Sequence, residues 1–464
     1  MTHLSCRFFC IFTLVLIFIG GCAAKTSLKE EQPDHTTPPI LQPQHVALLS
    51  DLTFNNPQLV CAAVPLSNNP LLEESEQQRL YFQALKHFFA PWKMTQTSFT
   101  TEQAFWGVRG LGSKQGYAEN LQPYPRDRWE RIVALQNMSA FPSLAQAGIV
   151  TRNTALRVLP SLRPFFLDPS KPGEGFPFDH FQASALWLGT PVLICHISTD
   201  KAWYFVETAF ASGWVRVEDI ALAQKEFCTD YESQNMAAIL LDETSFLSGN
   251  RLLGQTHIGA IFPLVHQKNN MVTIKVPTQN SSGQAHINLV GLNVLQAAPM
   301  PLSMTSKNIA MLADAMSGQL YGWGGMFENR DCSSTMRDLF LPFGIWLPRN
   351  SAYQAQKGGK FISLEGLNPE QKLATIHNQG RPLASLLWLP GHIGLYLGAD
   401  RHKEPLILHN MWGVRTIGAD GREGRVIAGK LVISTLRPGE NRADVQKDSF
   451  LGRIRGLTLL GKHN

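Results

Sequence analysis

LYGWGGMFENRDCSSTM, residues Leu320–Met336, holds the only cysteine for about a hundred residues and sets it between a glycine-rich turn and a helix start. Upstream, Ile309, Leu312, Ala315 and Met316 predict one face of a helix that Gly318 stops. Downstream, Met336, Leu339, Phe340 and Phe343 recur at the spacing of an amphipathic helix. Cys332 is therefore expected at a helix N-terminus, where unpaired amides and the helix dipole favour thiolate over thiol. The glycines before it let a backbone approach a substrate closely. Asp331 and the serines are also good capping residues, so an inert thiol in a plainly capped helix is the competing reading.

A thiol nucleophile needs a base, and the base needs a group to orient it. PGHIGLYLG, from Pro390 to Gly398, alternates as a strand with Ile393, Leu395 and Leu397 on one face and His392, Gly394 and Tyr396 on the other. That puts His392 on a polar face beside a glycine that clears space. A following strand, EPLILHNMWG, carries His409 where it can hydrogen-bond the far nitrogen of His392 and hold its tautomer. Neither an HExxH motif nor a matched carboxylate set is present, and the sequence calls for no metal or other cofactor.

The chain around these motifs has 464 residues, 44% hydrophobic and 17% charged, which suits about three or four globular domains. The net charge of +5 is spread without basic blocks, arguing against a nucleic-acid partner while suiting a polyanionic polymer. Residues 1–21 read as a signal peptide: Arg7, an apolar run from Phe8 to Ile19 too short to span a bilayer, then IGGC ending at Cys22. IGGC is similar to a bacterial lipobox, so Cys22 is the expected lipidation site. Ala23, in place of an aspartate, points by the same likeness to the periplasmic face of the outer membrane. After cleavage and acylation, Cys61, Cys195, Cys228 and Cys332 remain in an oxidising compartment. If Cys332 stays reduced, at most one bridge forms among the other three.

Residues 22–45 read as a proline-rich tether and 46–150 as a helical or mixed module. In that module Leu80, Phe82, Leu85 and Phe88 or Phe89 line a helix that Pro91 ends, and a second helix surrounds Trp129 to Leu135. Short apolar runs broken by Gly, Pro and Asp predict one small barrel over 151–236 and a weaker copy over 237–304. Trp203 and Trp214 are expected in core or rim packing. Residues 305–464 carry the chemistry.

The order YGWGG, DCSS, LPRNSAYQA, GHIGLYLG and LILHNMWG resembles the NlpC-type papain-like cell-wall cysteine peptidases, and SGWVRVED resembles the strand of a bacterial SH3-like domain. The fold so implied is α+β: a papain-like peptidase domain preceded by two SH3-like barrels and an N-terminal helical module. The resemblance implies cleavage of peptidoglycan stem peptides at the γ-D-glutamyl–diamino acid bond. Cys332 would attack, with its amide as oxyanion donor, His392 would act as base and then acid, and His409 would orient it. Tyr321 would stand beside the nucleophile, and Asp331 and Ser333 flank it in the substrate-binding set. Where some members hold a free N-terminal ammonium with an acidic residue and a serine, this chain has Asn350 and Ser351, and the neutral Asn350 departs from that pattern. A silent murein-binding lipoprotein and an acyltransferase on the same framework remain the alternatives. A polar cleft roofed by the first barrel would favour the peptidase.

Overall fold

In the computed structural model, residues 59–461 are described; the signal peptide, Cys22 and the tether lie outside the described residues. Five helices open the described chain: α1 (Val60–Ala63), α2 (Glu74–Phe88), α3 (Thr101–Ala104), α4 (Trp106–Gly112) and α5 (Arg126–Leu135). α2 buries Leu80, Tyr81, Ala84, Leu85 and Phe88. Phe82, expected on that face, is 44% exposed instead. Tyr81 takes the inward place because its hydroxyl finds a partner there, the carbonyl of Gln234 at 2.8 Å. A 3-10 turn with Pro91 follows the helix, since proline has no N–H with which to extend it. The module is a brace on the rest of the chain: Asp314 accepts from the amides of Val60 at 2.5 Å and Cys61 at 3.1 Å.

The first barrel is an antiparallel sheet in the order β3-β2-β6-β5-β4-β1-β7. Its strands are β1 (Gln146–Val150), β2 (Thr154–Arg157), β3 (Gln182–Leu186), β4 (Pro191–Ile197), β5 (Trp203–Glu207), β6 (Ser212–Arg216) and β7 (Ile220–Leu222). β1 pairs with both β4 and β7, so the barrel begins a few residues before the expected boundary at 151. Trp203 and Trp214 are buried against Phe105 of the N-terminal module. A helix, α6 (Lys225–Tyr231), leads to the second barrel, β8 (Met236–Ile239), β9 (Thr244–Ser248), β10 (Arg251–Thr256), β11 (Ile261–Lys268), β12 (Met271–Gln279), β13 (Ala285–Asn293) and β14 (Ala297–Pro299). Five of these strands run in the order β13-β12-β11-β8-β14, with β9 and β10 as a separate hairpin.

The C-terminal domain contains α7 (Ser306–Ala315), α8 (Cys332–Phe340), α9 (Ser351–Lys357), β15 (Gly359–Ser363), α10 (Pro369–Gln379), β16 (Ser385–Leu389), β17 (His392–Ala399), β18 (Pro405–Ile417), β19 (Glu423–Thr435) and β20 (Gly456–Leu460). Its six strands form one sheet, β15-β20-β16-β17-β18-β19. α8 sets Met336, Leu339 and Phe340 against Ile393, Leu395 and Leu408. The other face packs Tyr396 and Ile407 with Ile376 of α10. β17 is thus buried on both faces, where alternation alone predicts a half-buried strand. Tyr396, read as a polar-face residue, sits in that second apolar layer, and Gly394 on the same face is buried against Ile407 and His409. All four described cysteines are free thiols, so the bridge allowed among Cys61, Cys195 and Cys228 is absent.

Candidate active site

The first turn of α8 is built around Asp331. Its carboxylate caps the helix by accepting from the Ser334 amide at 2.8 Å, and it also takes the Gly324 amide at 3.1 Å. Arg349 grips the same group at 2.6 and 3.1 Å and donates to Ser333 Oγ at 2.8 Å. Cys332 opens the helix as predicted, but it is only 7% exposed. Burial, and then the charge of Asp331, push its thiol up to about 12, outweighing the backbone amides of Ile393 and Ser333. The expected thiolate is therefore a neutral thiol. A helix terminus contributes about 0.3–1 kcal/mol, and desolvating an anion costs more than that.

The Ile393 amide that favours the sulfur belongs to the residue after His392, which sets Sγ against the start of β17. Among the described residues no hydrogen bond joins Cys332 directly to the imidazole. His392 Nε2 lies 2.8 Å from His409 Nδ1, and His409 Nε2 lies 3.0 Å from Ser434 Oγ. The Ser434 hydroxyl donates its only proton to the Thr435 carbonyl at 2.7 Å. Ser434 Oγ must then accept from His409 Nε2–H, which leaves His409 Nδ1 as an acceptor. His392 Nε2 must therefore carry a hydrogen, and His392 Nδ1 keeps a free lone pair. Burial, with Arg453 adding to it, lowers His392 to about 4. The ring is neutral near pH 7 and is a base at the nitrogen away from His409. Gly394 makes the pairing possible, since a Cβ there would lie 2.8 Å from the Cβ of His409.

The glycine-rich turn before Asp331 is pressed onto the first barrel. Gly324 and Gly325 have φ of +62° and +82°, and a Cβ on them would stand 2.5 Å from the Gln182 carbonyl oxygen and 2.6 Å from the Ala185 amide nitrogen. Only glycine satisfies both the angle and the approach. Phe327 and Glu328 continue with positive φ, a conformation that costs side-chain-bearing residues about 1–3 kcal/mol each. Glu328 is held there by Asn153 of the first barrel at 2.7 Å and His257 of the second at 2.9 Å. Arg330, fully buried, donates to Asp242, Asp338 and the Ile258 carbonyl at 2.7–2.8 Å. Both barrels thereby fix the backbone that delivers Cys332.

A cavity of about 780 Å³ opens beside this cluster, lined among others by Tyr321, Trp323, His392, Trp412 and, from the first barrel, Gly173 and Phe178. Phe178 packs edge-on against Trp323 at 5.2 Å and Trp412 at 6.3 Å, roofing the cleft. Tyr321 faces Trp412 at 6.0 Å. Of the five residues expected to bind substrate, Tyr321 alone is on the cavity wall. Asp331 and Ser333 are buried and committed to Arg349, because a helix start inside the protein needs its amides and its charge satisfied. Asn350 Oδ1 caps α9 through the amides of Ala352 and Tyr353, and Ser351 is the first residue of that helix. Cys332 is itself not on the wall. Sequence reading missed Arg349, although it stands inside the quoted LPRN. It also missed Ser434 and Phe178, which local spacing does not connect to the site.

Comparison with known proteins matches three segments of the chain. Residues 11–141 match the N-terminal NLPC_P60 stabilising domain, 164–216 an SH3 domain of the SH3b1 type, and 318–411 the NlpC/P60 family. No curated protein matches the chain. Among solved structures, a novel NlpC/P60 endopeptidase from Photobacterium damselae subsp. piscicida is 26% identical, with a TM-score of 0.76 over 92% of this chain and 99% of that one. An NlpC/P60 family protein from Bacillus cereus is 13% identical, with a TM-score of 0.45 over 68% of this chain and 99% of that one. The glycine turn, the capped cysteine and both histidines lie inside the matched C-terminal segment, and the chain is one that carries an NlpC/P60 domain behind an SH3b domain and an N-terminal stabilising domain.

Proposed function

We propose that this protein is a cysteine peptidase that hydrolyses the peptide stems of peptidoglycan, cutting between the γ-carboxyl of D-glutamate and a diamino acid. The observation that carries this reading is the chain of hydrogen bonds from Thr435 through Ser434 and His409 to His392, which leaves a free lone pair beside the helix that Cys332 opens. In the proposed reaction Cys332 gives its proton to His392 as Sγ attacks the carbonyl carbon. The thiol is neutral at rest, so proton transfer accompanies attack rather than preceding it. The amide of Cys332, in the first turn of α8, would donate to the oxyanion. His392 then protonates the leaving amine and activates water to release the acyl group. The aromatic roof from the first barrel supports a covered cleft of about 780 Å³, large enough for a peptide. Lipid on Cys22 would hold the enzyme at the periplasmic face of the outer membrane, next to its polymer.

The test uses the detergent-solubilised full chain and its Cys332→Ala variant, with L-Ala-γ-D-Glu-diaminopimelate and purified sacculi, and reads products by mass spectrometry. Release of diaminopimelate by the full chain and not by the variant supports the reading. Cleavage of sacculi alone restricts it to polymeric substrate. Retention of murein with no cleavage of either overturns it in favour of a binding lipoprotein.

A further inference from the structure

The cleft holds an arginine that has no ion-pair partner among the described residues. Arg425 lies on β19 and lines the cavity that His392 also lines. Its Nε is buried and meets no acceptor among the described residues. The two carboxylates on the cavity wall are already engaged, Glu423 by Arg415 and Asp448 by Arg437. The charges that act on Arg425 are cations, Arg453 and Arg415, and together with burial they lower its proton affinity. Arg453 also acts on His392, so this positive field reaches the proposed base.

The guanidinium is held in place by packing. Gly173, on the first-barrel loop that borders the cavity, has a φ of +82°, and a Cβ there would collide with Arg425 Nη2. The fold thus confines a half-buried cation against the first-barrel loop, and the described residues supply no anion for it, an arrangement that an anion from outside would stabilise. Guanidinium takes a carboxylate through two parallel hydrogen bonds, so the missing partner is of that class.

We propose that Arg425, with Arg453 beside it, is a carboxylate-binding subsite that anchors the substrate by a free carboxylate away from the bond being cut. This rests on the peptidase reading above. Within a stem, a γ-D-glutamyl–diaminopimelate unit offers two such groups, the α-carboxylate of the glutamyl residue and the carboxylate at the far end of the diamino acid, the one that lysine lacks. Either fits the chemistry of the site.

The experiment measures kcat and KM for the full chain, Arg425→Gln and Arg425→Lys on three peptides: L-Ala-γ-D-Glu-diaminopimelate, the same peptide amidated at the glutamyl α-carboxyl, and the peptide with lysine replacing diaminopimelate. For the first peptide Arg425→Gln should raise KM at least tenfold with a much smaller fall in kcat, and Arg425→Lys should recover part of the loss. One analogue should be poor for the full chain yet as good as the parent for Arg425→Gln, and that analogue identifies the carboxylate. An unchanged KM in Arg425→Gln, or discrimination that survives in it, overturns the subsite while leaving the peptidase intact. Calorimetry in the Cys332→Ala background, with L-Ala-γ-D-Glu and free diaminopimelate as probes, covers a chain that cuts none of the peptides. Binding of either probe that Arg425→Gln weakens tenfold keeps the subsite without the peptidase. Absence of binding there removes both.

Discussion

Arg349 holds both carboxylate oxygens of Asp331, at 2.6 and 3.1 Å, one residue before the proposed nucleophile. The pair is almost wholly enclosed, with side-chain exposures of 12% and 11%. Arg349 also donates to Ser184 Oγ of the first barrel at 2.9 Å, so one guanidinium ties the start of α8 to the roof of the cleft. Burial works against the Asp331 charge, but Arg349 overcomes it and holds the carboxyl at about 2. Arg349→Ala leaves that anion buried and unpaired, and a loss of about 3–5 kcal/mol is expected, measured by urea denaturation. A loss below about 1 kcal/mol would mean that water takes over the guanidinium's place.

Ser434 acts on His392 only through His409, which makes it a positioning residue. Ser434→Ala removes the acceptor that holds the His409 hydrogen on Nε2 and should lower kcat about tenfold or more, with KM little changed. Ser434→Thr, which keeps the hydroxyl, should recover most of it. His409→Ala should cost more, within the roughly 10²–10⁴ range of a general base. If Ser434→Ala merely lowered the melting temperature and left kcat and its pH profile untouched, the tautomer assignment would fail.

Gly324→Ala tests the seating of the glycine turn. The new methyl group would lie 2.5 Å from the Gln182 carbonyl oxygen at a φ of +62°. Backbone strain and the clash together should cost about 2–4 kcal/mol and shift the Asp331–Cys332 start of α8. Ala at Gly318, where φ is also positive but nothing stands within 4 Å, should cost only the strain. Equal melting temperatures for the two variants would show that the contact with the first barrel is slack.

The pH behaviour of the thiol separates two resting states. With Cys332 pushed up to about 12 and His392 pulled down to about 4, both groups are neutral across the range between. Iodoacetamide should therefore alkylate Cys332 about ten times faster per pH unit from 7 to 9. A plateau already reached below pH 7 would instead reveal a thiolate–imidazolium pair.

Stability carries the same signature with a definite sign. The folded value of His392, about 4, lies below the ordinary imidazole value of 6.5. Between those values the unfolded chain binds the extra proton, so this stability is present above pH 6.5 and is lost as pH falls toward 4. His409 shifts in the same direction through burial and the neighbouring His392. The ring of His392 is partly open to the cleft, which limits its share to about 1–2 kcal/mol. A His392→Gln variant should lose correspondingly less stability between pH 6.5 and 4 in denaturation series. Parallel curves for the two chains would contradict the shift.

Local spacing was enough to place α8, the strand of His392, the strand of His409 and the tryptophan-bearing barrel strand, because each depends on a period or a capping residue a few positions away. Cys332 at a helix start and His409 as partner of His392 were legible for the same reason. Three other features were not. The protonation of Cys332 depends on how deeply the folded chain buries it, and no local pattern encodes that depth. Asp331, Ser333 and Asn350 have side chains that serve equally well for substrate or for capping, and only the positions of Arg349 and the α9 amides decide between them. Phe178 and Arg425 reach the cleft, and Ser434 reaches His409, from strands and loops elsewhere along the chain. The sequence by itself determined which residues have the chemistry to act; the tertiary structure decided which are free to, because burial, charge pairing and close approach are set by neighbours that the chain brings together only when folded.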